Sequence, residues 1–388
     1  TNKQIKTNAR YRDVNGYYHV ILAVDTTQAT ASNRVKFYVN GEQITDLTLV
    51  NGGYPSQNFT TEVNNTVEQR VGAYRDSSGT LGSYWNGVIS HYHNIDGTAY
   101  DPSAFGSTDS TTGEWKINTS PSVTYGTNGF FILKDGNSVT DQSGNGNNFT
   151  VAGGTLTKTE DNPSNVFATL NPLANIGTAN IYENGNTTIT GNNNWGANPS
   201  TIATSTTGKY YAECKVVAQA SAYSQFGIMS VDAVPNWTLG YAHTSADAIV
   251  WSIDHRSGQS KIESNNSSII QTPTQFSDGD IIGMAIDVDN GKIYFHRNGT
   301  YVTYSGNVQN PSSGSYGITL PTSTSGYHIM GNAYPNAKIS INFGNGYFQT
   351  TEITTNTGTG FQDADGNGRF FYNPPTNYRC LSTKGLNQ

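Results

Sequence analysis

The chain has 388 residues, and this length predicts two or three domains rather than a single hydrophobic core. Only 13% of the residues are charged whereas 11% are aromatic, which excludes a solvated disordered chain and, with 42 Gly and 24 Tyr, is typical of short strands joined by tight turns. The formal net charge is −7 without any cluster of Lys or Arg, which excludes the electrostatic surface of a nucleic-acid-binding protein.

The first predicted strands end in a tight hairpin. The run from Tyr17 to Val24 is apolar on both faces, which predicts a strand sandwiched between two layers. Val35, Phe37 and Val39 then share one face of the next strand. Asn40-Gly41 follows and suits the two positive φ angles of a two-residue hairpin loop.

Two turn-rich stretches interrupt the strand patterns in the middle of the chain. Residues 135–148 are polar and rich in Gly and Asn, and residues 158–165 contain Asp161, Asn162 and Pro163. Clear strand patterns return only after Tyr182. We therefore place a domain boundary near residues 158–166.

Alternation is clearest from Lys209 to Val217. It places Cys214 on the apolar face and Glu213 on the opposite face. The chain has two cysteines, which is no disulfide framework. The pattern favours a free, buried Cys214 over a bridge to Cys380.

A strand–turn–strand segment near residue 290 is similar to the one near residue 36. Ile281 to Val288 is an apolar run, and Asn298-Gly299 ends the segment after Ile293 and Phe295. We interpret the likeness as one hairpin device used in two separate sandwiches. Since no segment keeps a 3.6-residue apolar period beyond about two turns, we expect almost no helix.

Several segments of the first 150 residues carry a family pattern; they are Gly16–Asp25, Arg34–Gly41, Tyr84–Ser90, His93–Gly97, Tyr100–Ser103 and Asp141–Gly146. Together they resemble the concanavalin A-like, laminin-G-type jelly rolls of marine and environmental bacteriophage structural proteins. This resemblance implies an antiparallel β-sandwich over residues 1–160. Such folds have strands before the one at Tyr17, so we expect the first strands to lie upstream of this chain or to come from a partner chain.

A second set of segments lies between residues 168 and 344; it consists of Gly208–Glu213, Phe226–Ile228, Gly279–Val288, Lys292–Gly299 and Asn342–Gly344. These segments resemble a SPRY domain, and Phe370–Ser382 is similar to the segment that follows this module in such phage proteins. The expected fold is all-β, with two consecutive antiparallel jelly-roll sandwiches. The second covers residues 166–345, and an irregular C-terminal extension covers residues 346–388.

The sequence contains no catalytic motif. Its seven His residues are scattered without a metal-ligand spacing, and no nucleophile-elbow pattern occurs. We therefore expect a protein that is not an enzyme, although the two carboxylates of a glycosidase would leave no such pattern.

The SPRY resemblance implies a ligand surface made by loops between core strands. In that region the polar and aromatic residues that we expect to bind ligand are Trp237, Tyr241, His243 and His255. Trp251 lies within an apolar strand pattern, and we interpret it as a core residue.

A possible calcium loop begins at Asp363. Oxygen-bearing Asp363, Asp365 and Asn367 occupy positions 1, 3 and 5 of an EF-hand pattern, but Pro374 stands where the bidentate Glu belongs. Two interpretations stay open: a weak structural calcium site, or a plain turn, which the Asn- and Gly-rich composition favours. We expect no other cofactor.

These observations predict a bacteriophage structural protein at the surface of the virion, in a tail fibre or other appendage. Its expected partners are other virion proteins and host cell-surface glycan or protein, with no nucleic acid. We expect a homo-oligomer, a trimer if it is a fibre. Because no apolar run approaches ~18 residues, we expect no membrane insertion. The alternatives are a glycan-degrading enzyme on a sandwich fold and an intracellular SPRY-type adaptor.

Overall fold

Strands account for 39% of this computed structural model and helices for 5%, which confirms the all-β prediction. The described residues are 4–14, 16–65, 67–76, 78–134, 138–174, 180–192, 196–219, 223–236, 242–254, 260–272, 275–354 and 360–386. The chain divides into unit 1, which is Thr1–Trp85 with Ile89–Gly154, and unit 2, which is Asn86–Val88 with Thr155–Gln388.

Unit 1 contains short strands joined by turns. The strands are β1 Gln4–Thr7, β2 Val20–Val24, β3 Val35–Val39, β4 Glu42–Gln43, β5 Leu47–Val50, β6 Tyr74–Arg75, β7 Leu81–Gly82, β8 Tyr92–Asn94, β9 Gly106–Thr108, β10 Trp115–Ile117 and β11 Phe130–Ile132. They pair in antiparallel ladders of two or three strands: β1-β5, β2-β3-β4, β6-β7, β8-β11 and β9-β10. Short 3-10 turns occur at Ala31–Asn33 and Pro102–Ala104.

The meander β2-β3-β4 turns at Asn40 and Gly41, whose φ angles are 49° and 83°. The Asn40 N–H donates to the carbonyl of His19 at 2.9 Å, and its Oδ1 accepts from the N–H of His19 at 2.8 Å. The asparagine therefore extends the ladder beyond the end of β3. The predicted hairpin loop with two positive φ angles is confirmed.

One face of β2 is open. Val20, Leu22 and Val24 are 54%, 61% and 40% exposed. The prediction that this strand is covered on both faces is therefore wrong for Val20–Val24. Apolar alternation says which side chains share a face, but it does not say whether another layer covers that face.

Unit 2 contains the longer strands. They are β12 Ile181–Glu183, β13 Thr188–Thr190, β14 Asn198–Ala203, β15 Lys209–Ala218, β16 Tyr223–Ser230, β17 Ala248–Asp254, β18 Ser260–Ser264, β19 Ser267–Thr272, β20 Ile281–Asp287, β21 Lys292–Arg297, β22 Thr300–Tyr301, β23 Thr303–Tyr304, β24 Asn307–Val308, β25 Ile318–Thr319, β26 Tyr327–Tyr334, β27 Lys338–Asn342, β28 Tyr347–Phe348 and β29 Thr351–Glu352. The helical pieces are 3-10 turns Pro172–Ala174, Val231–Asn236 and Ala242–Thr244, and α1 Thr383–Leu386.

Two antiparallel sheets form the sandwich of unit 2. The first has the order β12-β13-β27-β15-β20-β21-β22, with β25 beside β21, and the second has the order β14-β26-β16-β17-β18-β19. One buried cluster draws side chains from both sheets, among them Cys214, Met284 and Phe295 from the first and Phe226 and Trp251 from the second. The rings of Trp251 and Phe295 meet edge to face at 5.8 Å, so the sheets pack directly against each other.

The central strand β15 shows the predicted alternation. Cys214 belongs to the core between the sheets, and Tyr211 belongs to a second buried cluster on the opposite face. Both cysteines are buried and free, in agreement with the interpretation of Cys214 as a small core residue.

The C-terminal segment, residues 346–386, covers the outer face of the first sheet. Phe370, Tyr378 and Cys380 are fully buried in the second cluster. The Arg379 N–H donates to the carbonyl of Lys209 at 2.9 Å, which fastens the segment beside the start of β15. Residues 346–386 are thus packed into unit 2 where described. Among the described residues, none of the helices is long and apolar enough to span a membrane.

Candidate functional site

A buried polar layer lies between β15, β21 and the C-terminal segment. Glu213 is fully buried and accepts four hydrogen bonds, from the N–H groups of Tyr372 at 2.7 Å and Phe371 at 2.9 Å, and from Asn342 Nδ2 and the Tyr211 hydroxyl at 3.2 Å each. Burial raises the pKa of Glu213 to about 7, although these donors act in the opposite direction.

His296 completes this layer. Its Nε2 lies 2.7 Å from the Tyr211 hydroxyl, and its Nδ1 accepts from the N–H of Gly299 at 3.1 Å. Because Nδ1 is an acceptor, the neutral ring carries its proton on Nε2 and donates to Tyr211, which in turn donates to Glu213. Burial lowers the pKa of His296 to about 4, which keeps the ring neutral.

Gly283 leaves the room that the imidazole needs. A Cβ atom at Gly283 would lie 1.8 Å from His296 Nε2. Glu213, Tyr211 and His296 are each at most 2% exposed. This acid–tyrosine–histidine chain is therefore closed to a substrate, and its hydrogen bonds hold the C-terminal segment in place.

An open cleft lies beside the polar layer. Its volume is about 350 Å³, and it is lined by Tyr301, Gln309, Asn310, Pro311, Ser312, Asn373, Pro374, Pro375 and Thr376. One wall consists of Tyr301 in β22 and residues 309–312, which come after β24. The other wall consists of residues 373–376 in the C-terminal segment. None of these nine side chains is charged, and the lining combines amides, hydroxyls and rings.

Gln309 is the buried polar residue of the cleft and is only 2% exposed. Its Oε1 accepts from the N–H of Phe295 at 2.8 Å, and this bond fixes the orientation of the amide. Its Nε2 is buried and has no hydrogen-bond partner among the described residues. Buried amide donors nearly always have an acceptor, so Nε2 is a donor of the cleft that is left for a water or a ligand.

The predicted ligand loops lie mostly beyond the described residues. Trp237, Tyr241 and His255 are outside them; the backbone of His243 lies in the turn Ala242–Thr244, and its side chain is outside. Their role stays a prediction. Trp251 is 1% exposed and donates from Nε1 to Ser260 Oγ at 3.1 Å, which confirms it as a core residue.

The loop at Asp363 uses its carboxylates within the protein. Asp363 Oδ1 accepts from the N–H groups of Asp365 at 3.0 Å and Asn367 at 2.7 Å, and Oδ2 accepts from the N–H of Cys380 at 2.9 Å. Asp365 pairs with Arg379 at 2.5 Å. These bonds form a turn at Asp363 and connect it to Arg379 and Cys380. Among the described residues, no group of three or more His, Cys, Asp or Glu is arranged for a metal. Calcium binding stays a prediction.

Comparisons with known proteins give similarity to solved structures but no match to a family. No protein-family model matches the chain, and no curated protein does. Among solved structures, the SPRY domain of human HERC1 has a TM-score of 0.32 and 15% identity, covering 44% of this chain and 96% of that one. The TRIM65 PSpry domain has a TM-score of 0.32 and 8% identity, covering 45% and 91%. The sandwich of unit 2 is defined by its own strand order.

Sequence reasoning missed the cleft and the polar layer. Gln309 and Glu213 each look like ordinary polar residues in the sequence, and the backbone donors to Glu213, Phe371 and Tyr372, lie more than 150 residues further along the chain. The sequence did contain one signal: Glu213 stands in the middle of a strand with a strongly apolar face, where a second layer can cover it.

Proposed function

We propose that this chain is a non-catalytic recognition module of a bacteriophage virion, in a tail fibre or surface appendage. It binds glycan or protein on the host cell and contacts other virion proteins. The segments that resemble phage jelly-roll and SPRY modules support the virion assignment. The open, uncharged cleft of unit 2 is the observation that carries the binding role.

Two features of the described residues favour binding over catalysis. Glu213 and His296 have strongly shifted pKa values, which is common at active sites, but both are enclosed and bonded to the protein itself. The open cleft holds amides, hydroxyls and rings, which suit recognition. Weak single sites of this kind gain from repetition on a particle, and we therefore propose a homo-oligomer, a trimer in a fibre.

The test uses the purified chain with host cells. Its oligomeric state is measured by light scattering, and it is then added to host cells in competition with phage. We expect the oligomer to bind the cells and to block adsorption, without releasing reducing ends from host polysaccharide. Trp237→Ala, in the predicted loop, is expected to weaken both effects.

Three results would contradict the proposal in different ways. An oligomer of verified fold that neither binds nor competes favours a purely structural place in the virion. Release of reducing ends favours the glycan-degrading enzyme. Binding to an intracellular protein but not to cells favours an adaptor.

A further inference from the structure

The cleft of unit 2 has the chemistry of a site for an uncharged ligand. An ionised group buried there would lose hydration without meeting an opposite charge, because none of the nine lining side chains is charged. The cleft's volume of about 350 Å³ lies at the small end of the roughly 300–1,000 Å³ range for ligand pockets. A small neutral ligand, or one unit of a longer chain, therefore fits best.

The polar lining matches a ligand rich in hydroxyl groups. Amides and hydroxyls can both donate and accept, as a sugar hydroxyl does. Exposed Asn310, Ser312, Asn373 and Thr376 supply these groups at the rim. The half-buried side chains of Tyr301 and Pro375 supply apolar surface against which the carbon face of a sugar ring can pack.

The backbone of the cleft argues against a docked peptide strand. Peptides that extend a sheet need free N–H and carbonyl groups along an edge. Asn310 and Ser315 exchange both of their backbone hydrogen bonds at 3.0 Å, and the Gln309 N–H donates to the carbonyl of Val302 at 2.9 Å. Recognition in this cleft therefore falls to side chains.

We propose that this cleft binds a neutral carbohydrate unit, with Gln309 Nε2 donating to a sugar oxygen and Tyr301 packing against the ring. This inference rests on the proposed binding role and names its ligand class. Gln309 is one of the lining residues and its Nε2 is buried, so this contact requires a local rearrangement that exposes the atom to the ligand. The C-terminal segment supplies one wall, so the site exists only when that segment is docked on the sheet.

The experiment uses the full chain and isothermal titration calorimetry. The probes are neutral oligosaccharides with terminal hexose or N-acetylhexosamine, sialylated and uronic-acid oligosaccharides, and a set of short peptides. We expect neutral sugars to bind with a dissociation constant on the order of 1 mM for a single unit. Ser312→Trp and Thr376→Trp fill the cleft from exposed positions and are expected to weaken binding at least tenfold.

The matched control is Thr351→Trp, an exposed position in β29 that does not line the cleft. It is expected to leave sugar affinity within about twofold of the wild type, and melting temperatures check that all three variants fold. Gln309→Leu tests the donor itself. It is expected to abolish sugar binding, and circular dichroism is expected to show that the variant keeps the wild-type fold.

Failure of this inference differs from failure of the binding role. If the folded wild type binds no neutral sugar, or both cleft-filling variants keep its affinity, the carbohydrate site is refuted even when the chain still binds cells. Preferential binding of charged sugars or of peptides that the Trp variants abolish refutes the ligand class. If neutral sugar binds and the variants lose it, the inference stands even when cell adsorption fails.

Discussion

The two units contain the same meander, but only one of the meanders is buried. In unit 2, Asn298 has a φ of 51°, its N–H donates to the carbonyl of Ile281 at 2.8 Å, and its Oδ1 accepts from the N–H of Ile281 at 2.8 Å. Asn40 bonds to His19 in the same way in unit 1. Leu22 pairs with Phe37 where Met284 pairs with Phe295, yet Leu22 is 61% exposed and Met284 is fully buried.

The difference lies in what covers the strands. In unit 2 the second sheet packs on one face of β20 and β21, and the C-terminal segment packs on the other. In unit 1 the described strands form ladders of two or three strands, and the face of Val20, Leu22 and Val24 stays open. The local Asn-Gly turn sequence is thus enough to form the meander, whereas its burial depends on segments that are distant in the sequence.

Removing the hydrogen bonds that hold the C-terminal segment on unit 2 is expected to have the largest effect on the free energy of unfolding. Glu213→Ala removes the acceptor of two buried and two partly buried donors, and we expect a loss of about 4 kcal/mol in the free energy of unfolding. Glu183→Ala is the control, because Glu183 forms a half-exposed ion pair with Lys338 and is expected to cost less than about 1 kcal/mol. Chemical denaturation measures both, and similar values would show that Glu213 does not hold the C-terminal segment.

Emptying the inner core is expected to have the next largest effect. Met284→Ala leaves a cavity between the two sheets of unit 2, and we expect a loss of about 3 kcal/mol. Met284→Leu keeps the volume and is expected to cost less than about 1.5 kcal/mol. If urea denaturation gave equal losses for the two variants, packing at this position would not be the cause.

The sequence predicts the parts of this comparison that depend on neighbours along the chain. The positive φ angles at Asn40 and Asn298 and the alternation at Cys214 follow from local chemistry, and all are found. The cover of each strand is a long-range property. Nothing near Val20 reveals that its face is open, and nothing near Glu213 reveals that Phe371 and Tyr372 donate to it from more than 150 residues away.

The shared turn can be broken in both units at its glycine. Gly41 and Gly299 have φ angles of 83° and 81°, so Gly41→Val and Gly299→Val are each expected to cost about 1 kcal/mol or more. The loss should be greater at Gly41, where a Cβ would lie 2.3 Å from the Trp115 ring, than at Gly299, where the nearest Tyr372 ring atom lies at 3.0 Å. Thermal melts with Thr303→Val as an exposed control measure this, and an unchanged melting temperature would contradict it.

Lowering the pH is expected to destabilise unit 1 more than unit 2, because the two units contain different titrating groups. In unit 1, burial lowers the pKa of His93 to about 4 and also lowers that of His19, and neighbouring histidines add to both shifts. Their neutral forms stabilise the fold above pH 6.5, and this stability is lost as the pH falls from 6.5 towards 4. In unit 2, burial lowers the pKa of His296 and His328.

Unit 2 also contains two carboxyl groups whose contribution to stability changes with pH in the opposite direction. Burial raises the pKa of Glu213 and Asp161 to about 7, so the stability from their protonated forms is present at low pH and is lost as the pH rises through 7. As the pH falls from 7 to 5, the stability that unit 2 gains from these carboxyl groups offsets the stability that it loses through its histidines. By calorimetry we expect the melting temperature of unit 1 to fall by a few °C over this interval and that of unit 2 to fall less. His93→Gln should reduce the slope for unit 1; parallel slopes in the wild type would contradict the assignment.

The smallest effect is expected at the counterpart of Met284. Leu22→Ala removes an exposed side chain from the open face of unit 1, and we expect a change of at most about 0.5 kcal/mol. The measurement is chemical denaturation at two protein concentrations, because a face covered only in an oligomer would make the effect depend on concentration. A loss near that of Met284→Ala at high concentration would show that another chain completes this layer. A loss of that size at every concentration would show that the face is covered within the chain itself, and the comparison of the two meanders would then fail.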